Sequence, residues 1–316
     1  MTTAFLFPGQ GSQAVGMAQA LASAFPAARE VLQEVDDALG EKLSALMAEG
    51  PEEVLTQTQN AQPAIMAASL AAFRVMQTQM GVALPKSAQL VAGHSLGEYS
   101  ALAAAGTFSV SECAKLLRIR GNAMQEAVPA GKGGMAAIIG PDFAAVEEIV
   151  REARMRASGE VIEIANQNST NQTVISGTAR GIEVAMDVAK EKGAKRALPL
   201  SVSAPFHCSL MQPAAEKMRA ALASATLNAP AVPLVANVTA ELVSDPQMIR
   251  ELLVSQVTSM VRWVDSIQTM QRMGITRVVE IGHGNVLAGL VKRIAPEITV
   301  SNVGSPEDLD QFANAA

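Results

Sequence analysis

Short apolar runs and stretches with helical spacing alternate along the first 129 residues. The runs at 4–7 and 89–92 each lead into a glycine-containing turn, which is typical of buried strands. Apolar positions at helical intervals predict a helix that starts near Gly16 and further helices at 28–39, 41–48, 62–80 and 111–127. Alternating strands and helices indicate an α/β domain.

The pattern changes between residues 130 and 200. The predicted elements there are strand 134–139, helix 142–156, strand 161–166, strand 173–177, helix 179–192 and strand 196–200. This βαββαβ order is typical of a ferredoxin-like unit. We therefore predict a ferredoxin-like subdomain at 130–200, inserted into a larger α/β domain made of 1–129 and 201–316. Buried strands at 233–238 and 277–281 belong to the larger domain.

Length and composition narrow the classes of function. A chain of 316 residues can bury a large core, and polar residues interrupt every apolar stretch before it reaches the length of a membrane span. The first residues lack a basic segment ahead of a long apolar run, so we expect no secretory signal and a cytoplasmic protein. The formal net charge of −6 argues against nucleic-acid binding. Cys113 and Cys208 do not have the spacing of metal ligands.

A possible nucleophile lies where a predicted strand meets a predicted helix. Gly93-His94-Ser95-Leu96-Gly97 fits the G-x-S-x-G turn, in which a strained turn exposes a serine hydroxyl at a sheet edge. The amide of Leu96 and an amide from the loop around Gln10 could then stabilise an oxyanion. An ordinary tight turn whose glycines serve packing explains the motif equally well.

A nucleophilic serine needs a base, and the chain has three histidines. His94 precedes the serine, and neighbouring side chains diverge at such a turn. His283 lies between two glycines after a predicted strand and has no evident chemical task. His207 follows the proline-restricted segment 203–206, which could aim its ring rigidly, so His207 is the favoured base.

Arg120 lies on the predicted helix 111–127, where an arginine is ordinarily a solvated charge. If its side chain faced the cleft, it could form a bidentate pair with a substrate carboxylate. The residues alone leave both interpretations open. The interpretation as a solvated helical charge fits Arg118 better than it fits Arg120.

With these residues in view, the chain resembles the malonyl-CoA:acyl carrier protein transacylases of bacterial fatty acid synthesis over essentially its whole length. No single motif is as specific as the ordered set. The residues that carry the resemblance are Phe7-Pro8-Gly9-Gln10-Gly11-Ser12-Gln13, Gly93-His94-Ser95-Leu96-Gly97-Glu98-Tyr99-Ser100-Ala101, Arg120-Gly121, Met124-Gln125, Ala204-Pro205-Phe206-His207, Gln256 and Trp263.

The resemblance implies a hydrolase-like α/β core, with a parallel sheet flanked by helices and a ferredoxin-like insertion. It implies a Ser-His dyad in which Ser95 carries the acyl group and His207 is the general base and acid. The backbone carbonyl of Gln256 would orient that histidine, and Arg120 would bind the malonyl carboxylate. The amides of Gln10 and Leu96 would form the oxyanion hole.

The expected reaction transfers malonyl from malonyl-CoA to the phosphopantetheine thiol of acyl carrier protein through a serine acyl-enzyme. No metal or bound cofactor is expected, the partners are malonyl-CoA and acyl carrier protein, and the expected state is a monomer. Alternatives are a serine hydrolase such as a thioesterase or lipase, a polyketide-type acyltransferase, and a catalytically silent module that binds carrier protein.

Some positions depart from the usual family pattern. Gly282-His283-Gly284 stands where Gly-Pro-Gly is common, Met260 replaces a frequent proline, and the segment around Thr170-Asn171 lacks a frequent Pro-Gly. These positions are expected to affect loop geometry and not the dyad. A basic docking patch for an acidic carrier protein could be formed by Lys190, Lys192, Lys195, Arg196, Lys292 and Arg293, although a solvated helix face explains them equally well.

Overall fold

The structure, a computed structural model, describes residues 2–315, which form two β-sheets and the helices packed on them. The strands in this range are β1 (Thr3–Phe7), β2 (Leu90–Gly93), β3 (Gly133–Ile139), β4 (Ile162–Ser169), β5 (Gln172–Thr178), β6 (Arg196–Pro199), β7 (Leu234–Val235), β8 (Leu242–Val243), β9 (Arg277–Ile281) and β10 (Thr299–Val303). The helices are α1 (Gln19–Ala24), α2 (Pro26–Leu39), α3 (Leu43–Glu49), α4 (Glu52–Leu55), α5 (Thr58–Met80), α6 (Gly97–Ala104), α7 (Val110–Ala127), α8 (Phe143–Arg156), α9 (Ala179–Glu191), α10 (Gln212–Ser224), α11 (Pro246–Gln256), α12 (Trp263–Arg272), α13 (Val286–Ile294) and α14 (Pro306–Ala315), with a 3₁₀ turn at Ser209–Met211.

The larger sheet has the order β10-β9-β1-β2-β7-β8 and is parallel except for β8. Side chains of β1 alternate between its two faces: Phe5 and Phe7 join the core on one face, and Ala4 and Leu6 join the core on the other. Helices cover both faces, which is why the strand is a continuous apolar run and not an alternating one.

The smaller sheet has the order β4-β5-β3-β6 and is antiparallel throughout. Helices α8 and α9 pack against it around a separate core that includes Ile138, Ile149 and Val188. The chain order β3-α8-β4-β5-α9-β6 is the predicted βαββαβ pattern. The parallel sheet flanked by helices and this second sheet confirm the predicted fold class, while the domain boundaries at 129/130 and 200/201 stay a prediction.

Several elements differ in extent from the sequence prediction. Helix α5 begins about one turn before residue 62, because Pro63 is accommodated inside the helix and does not start it. The strand predicted at 233–238 is only the two-residue β7, since the chain turns back after Ala236 to pair with β8. The edge strand β10 was not predicted, because only Val303 in it is fully buried and no apolar run marks it.

Among the helices of residues 2–315, none combines the length and the apolar character that crossing a membrane requires.

Two helical glycines give a matched test of the packing between α5 and α7. A Cβ added at Gly121 would lie 2.5 Å from the Cα of Gln59, whereas a Cβ at Gly289 meets nothing within 4 Å. We predict that Gly121→Ala lowers the free energy of unfolding by about 1–3 kcal/mol through overpacking. Gly289→Ala should raise it by about 0.5–1 kcal/mol, because alanine is the better helix former. Urea titrations of both variants check this, and equal effects would contradict the proposed contact.

Candidate active site

Ser95 lies in a strained turn between β2 and α6. Its φ of 54° is in the left-handed region, which a side-chain-bearing residue seldom adopts. The turn fits only because the residues two positions before and two positions after Ser95 are glycine: a Cβ at Gly93 would lie 1.9 Å from the carbonyl oxygen of Gly97, and a Cβ at Gly97 would lie 2.2 Å from that of Phe7. The close approach places the serine hydroxyl at the carboxyl edge of the parallel sheet, where ligands of α/β proteins bind.

The hydroxyl of Ser95 meets the imidazole of His207, 112 residues away in the chain. Ser95 Oγ and His207 Nε2 are 2.8 Å apart. The other ring nitrogen, Nδ1, lies 2.9 Å from the backbone oxygen of Gln256 and 3.1 Å from that of Ser259. Carbonyl oxygens only accept hydrogen bonds, so Nδ1 carries the proton and Nε2 is left as an acceptor for the serine hydroxyl. This tautomer is the one that a general base requires.

His207 is 4% exposed, and this burial determines its charge state. Burial and, next, the positive charge of Arg120 together lower the pKa of His207 to about 3, against smaller opposing effects of the backbone carbonyls. The imidazole is therefore neutral at physiological pH and able to accept the serine proton.

Arg120 is 1% exposed yet lines the cleft beside Ser95. Its Nη1 donates to Gln62 Oε1 at 2.8 Å, and its Nη2 donates to Gln256 Oε1 at 2.8 Å and to Ser95 Oγ at 3.2 Å. The guanidinium also lies 5.7 Å from the ring centroid of Tyr99. Within residues 2–315 no salt bridge joins it to a carboxylate. A buried cation without a carboxylate is unusual, and burial lowers its pKa.

Two polar residues that the sequence prediction missed hold the backbone of the turn. Asn237 accepts from the Ser95 N–H at 2.7 Å and donates to the Gly93 carbonyl at 2.7 Å. Glu98 accepts from the Asn237 backbone N–H at 3.0 Å and from Gln256 Nε2 at 2.8 Å. Burial raises the pKa of Glu98 to about 7. Glu98 was part of the recognised motif without an assigned role, whereas nothing in the local sequence marked Asn237.

The two expected oxyanion donors lie on loops from neighbouring strands. Gln10 follows β1 and Leu96 follows β2, and these strands pair in parallel with Phe7 opposite Gly93. In the described part of the chain neither backbone N–H donates a hydrogen bond to another protein group. Both donors are thus free for a ligand oxygen, and their role stays a prediction.

The other two histidines occupy different places. His94 Nε2 lies 2.8 Å from Asn168 Oδ1 on β4, and burial lowers the pKa of His94. Its ring stands 5.5 Å from that of Trp263, on the wall of the cleft. His283 lines a separate groove with Arg277 and Phe312, so it does not belong to the dyad.

A cleft of about 320 Å³ opens onto this set of residues. The loops after β1 and β2 of the larger sheet and strands of the smaller sheet contribute to its walls. Its lining includes Gln10, Gln62, His94, Ser95, Arg120, Met124, Asn166, Asn168, Leu200, Phe206 and His207. The structure therefore brings the predicted serine, histidine and arginine together at the base of one cleft.

Known proteins similar to this chain establish its family. Residues 4–304 match the model of the acyl transferase domain family. The malonyl CoA-acyl carrier protein transacylase of Escherichia coli strain K12 is 46% identical, with 96% of each chain covered. The chain belongs to the malonyl CoA-acyl carrier protein transacylases. This confirms the family predicted from the sequence.

Solved structures of the family have the same fold. The acyl-carrier-protein S-malonyltransferase of Bartonella henselae superposes with a TM-score of 0.96 at 53% identity, covering 100% of this chain and 99% of the other. A malonyl-transacylase solved in complex with its holo type II polyketide synthase acyl carrier protein has a TM-score of 0.95 at 41% identity, with full coverage of both chains.

The departures from the usual family pattern lie outside the Ser95–His207 contact. Thr170-Asn171 forms the turn between β4 and β5. Met260 lies on a shallow surface depression, but it directly follows Ser259, whose carbonyl accepts from His207. Met260 is therefore the departure nearest to the dyad.

The low pKa of His207 predicts an unusual pH profile. An ordinary histidine with a pKa of about 6.5 would be only about 3% neutral at pH 5, and a base of that kind would lose about thirtyfold in rate from its plateau. With a pKa of about 3, His207 stays neutral as the pH falls to 5. The labelling rate of Ser95 by a neutral fluorophosphonate should therefore be nearly level from pH 8 to pH 5. A midpoint near 6.5 would contradict the assigned electrostatics.

Proposed function

We propose that this chain transfers a malonyl group from malonyl-CoA to the phosphopantetheine thiol of acyl carrier protein. Family membership supports the proposal, and one structural observation carries its specificity: Arg120 is buried beside Ser95 with its charge unpaired by any carboxylate of residues 2–315. A carboxylate on the acyl group would supply the missing partner through a bidentate pair.

The first half of the reaction loads the serine. Ser95 Oγ attacks the thioester carbonyl while His207 Nε2 takes its proton, and the oxyanion accepts from the amides of Gln10 and Leu96. The C–S bond then breaks, and His207 returns the proton to the CoA sulfur. The malonyl group is left as an ester on Ser95.

The second half repeats these steps with a new thiol. His207 takes the proton of the phosphopantetheine thiol, and the thiol sulfur attacks the ester carbonyl. The bond between the acyl carbon and Ser95 Oγ then breaks, the malonyl thioester leaves, and the proton returns to Ser95 Oγ. The Gln256 and Ser259 carbonyls stabilise the imidazolium through Nδ1. The proposed site is therefore a Ser-His dyad whose histidine is oriented by backbone carbonyls and not by a third side chain. A carboxylate held by Arg120 would fix the acyl group and leave little room for water, which favours transfer over hydrolysis.

Each step uses side chains and amides already in the cleft, so the proposed mechanism needs no resident metal or organic cofactor. We propose a cytoplasmic monomer with no nucleic-acid partner. For the carrier protein, Lys195, Arg196, Lys292 and Arg293 are the better docking candidates of the predicted patch, since Lys190 pairs with Asp187 and Lys192 pairs with Glu152.

Intact mass measurement after mixing with malonyl-CoA tests the nucleophile and the donor together. The wild-type chain should gain one malonyl group, and Ser95→Ala should gain none. Ser100→Ala is a matched control, because the Ser100 hydroxyl is buried without a hydrogen-bond partner and belongs to the same motif. An adduct on the Ser95→Ala protein would refute the assignment. Adding holo carrier protein should move the malonyl group onto it, and release as free malonate would favour a hydrolase.

Replacing Arg120 tests the carboxylate site. Arg120→Ala should lower kcat/KM for malonyl transfer by an amount equivalent to ~2–4 kcal/mol of lost transition-state stabilisation, because a charge-assisted pair is lost. Acetyl transfer should change much less, so the malonyl-to-acetyl ratio of kcat/KM should collapse. Arg118→Ala on the same helix is the control, since Arg118 bonds to Asn60 and Glu41 away from the cleft. An unchanged ratio in Arg120→Ala would contradict the role.

A further inference from the structure

The side chain of Gln256 contacts three parts of the site, beyond the backbone carbonyl that orients His207. It is fully buried, and its Nε2 donates to the Ser95 carbonyl at 3.0 Å and to Glu98 Oε2 at 2.8 Å. Its Oε1 accepts from Arg120 Nη2 at 2.8 Å. One carboxamide thus connects the nucleophile's backbone, a buried acid and the guanidinium.

Glu98 and the Ser95 carbonyl determine which way this carboxamide faces. Both groups present oxygen acceptors, so the NH₂ end of Gln256 must point toward them. The reversed orientation would place Oε1 against two oxygens and the NH₂ group against the guanidinium of Arg120. Glu98 is held in turn by the backbone N–H of Asn237. Because Glu98 and the Ser95 carbonyl bind the NH₂ end of the Gln256 carboxamide, its Oε1 faces Arg120.

The acceptors that hold Arg120 are all neutral: the amide of Gln62 on Nη1, and the amide of Gln256 and the Ser95 hydroxyl on Nη2. A carboxylate in either place would form an ion pair and cancel the charge before substrate arrived. Amide oxygens fix the direction of the guanidinium without neutralising it. Glu98 lies one side chain further away and bonds to Gln256 instead of Arg120.

We propose that Glu98 and the side chain of Gln256 form a positioning pair that aims Arg120 at the acyl carboxylate. The pair acts on selectivity, whereas the backbone carbonyl of Gln256 acts on the base. This inference rests on the proposed function, because it assumes that the carboxylate of the acyl group binds Arg120.

Gln256→Met separates the two tasks, since it removes the carboxamide and keeps the backbone carbonyl. Three rates are measured on wild type and variant: acylation by malonyl-CoA, acylation by acetyl-CoA, and labelling by a neutral fluorophosphonate. The malonyl rate should fall about tenfold or more, as expected for one hydrogen bond to a charged group. The acetyl and probe rates should fall less than the malonyl rate: the bond from Gln256 to the Ser95 carbonyl is lost in the variant, but Asn237 still binds the Ser95 N–H and the Gly93 carbonyl.

A second pair of variants tests Glu98. Glu98→Gln keeps an oxygen that can accept from Gln256 Nε2, whereas Glu98→Met does not. We expect Glu98→Gln to retain a malonyl-to-acetyl ratio near that of wild type and Glu98→Met to lower it in the same direction as Gln256→Met. Thermal melting of every variant monitors folding. If Gln256→Met does not fold, the two Glu98 variants still test the positioning role.

The outcomes distinguish this proposal from the proposed function. An unchanged malonyl-to-acetyl ratio in Gln256→Met, or an equal loss of all three rates, would overturn the positioning role, and so would equal ratios in the two Glu98 variants. Wild-type protein that reacts with the probe at Ser95 and takes no malonyl group would instead refute the proposed function itself.

Discussion

The parallel pairing of β1 with β2 is the constraint on which the site depends. Because the two strands run in the same direction with Phe7 opposite Gly93, their following loops leave the sheet at one edge. One loop carries Gln10 and the other carries Ser95. The start of α6 can approach the end of β1 so closely only because Gly97 has no side chain to meet the Phe7 carbonyl. Sheet geometry and glycine packing thus produce both the exposed serine and the amides beside it.

Hydrogen bonds to the backbone maintain this arrangement against its strain. Ser95 and His207 both have positive φ, a conformation that each must be held in by its surroundings. The Asn237 side chain and the Gln256 carboxamide bind the Ser95 peptide from two sides, and two carbonyls bind the imidazole. The turn and the base therefore share Gln256 as a common support. Among residues 2–315 no acidic side chain bonds to His207, and these carbonyls explain how the Ser95–His207 contact still has a defined geometry.

The inserted unit forms part of the site as well as a second sheet. Val261 forms an isolated parallel bridge with Asn166 on β4, close in the chain to the carbonyl of Ser259 that binds His207. Glu163 on β4 also bonds to Ser209, two residues after His207. The histidine is therefore fixed between the two sheets. Movement of the inserted unit would change the direction of the base and the width of the cleft together.

The sequence by itself determined the elements whose periodicity is strong, such as α7, the β3-to-β6 order and the glycine turn, since these patterns are local. It also predicted Ser95, His207 and Arg120 as site residues, partly through a family resemblance, and the structure brings these three side chains together. Only the tertiary structure decided that Gln62 and Asn237 belong to the site, because a buried amide looks like a surface amide in the sequence. Hydrogen-bond partners are selected by distances of about 3 Å between segments far apart in the chain, and chain folding alone sets those distances.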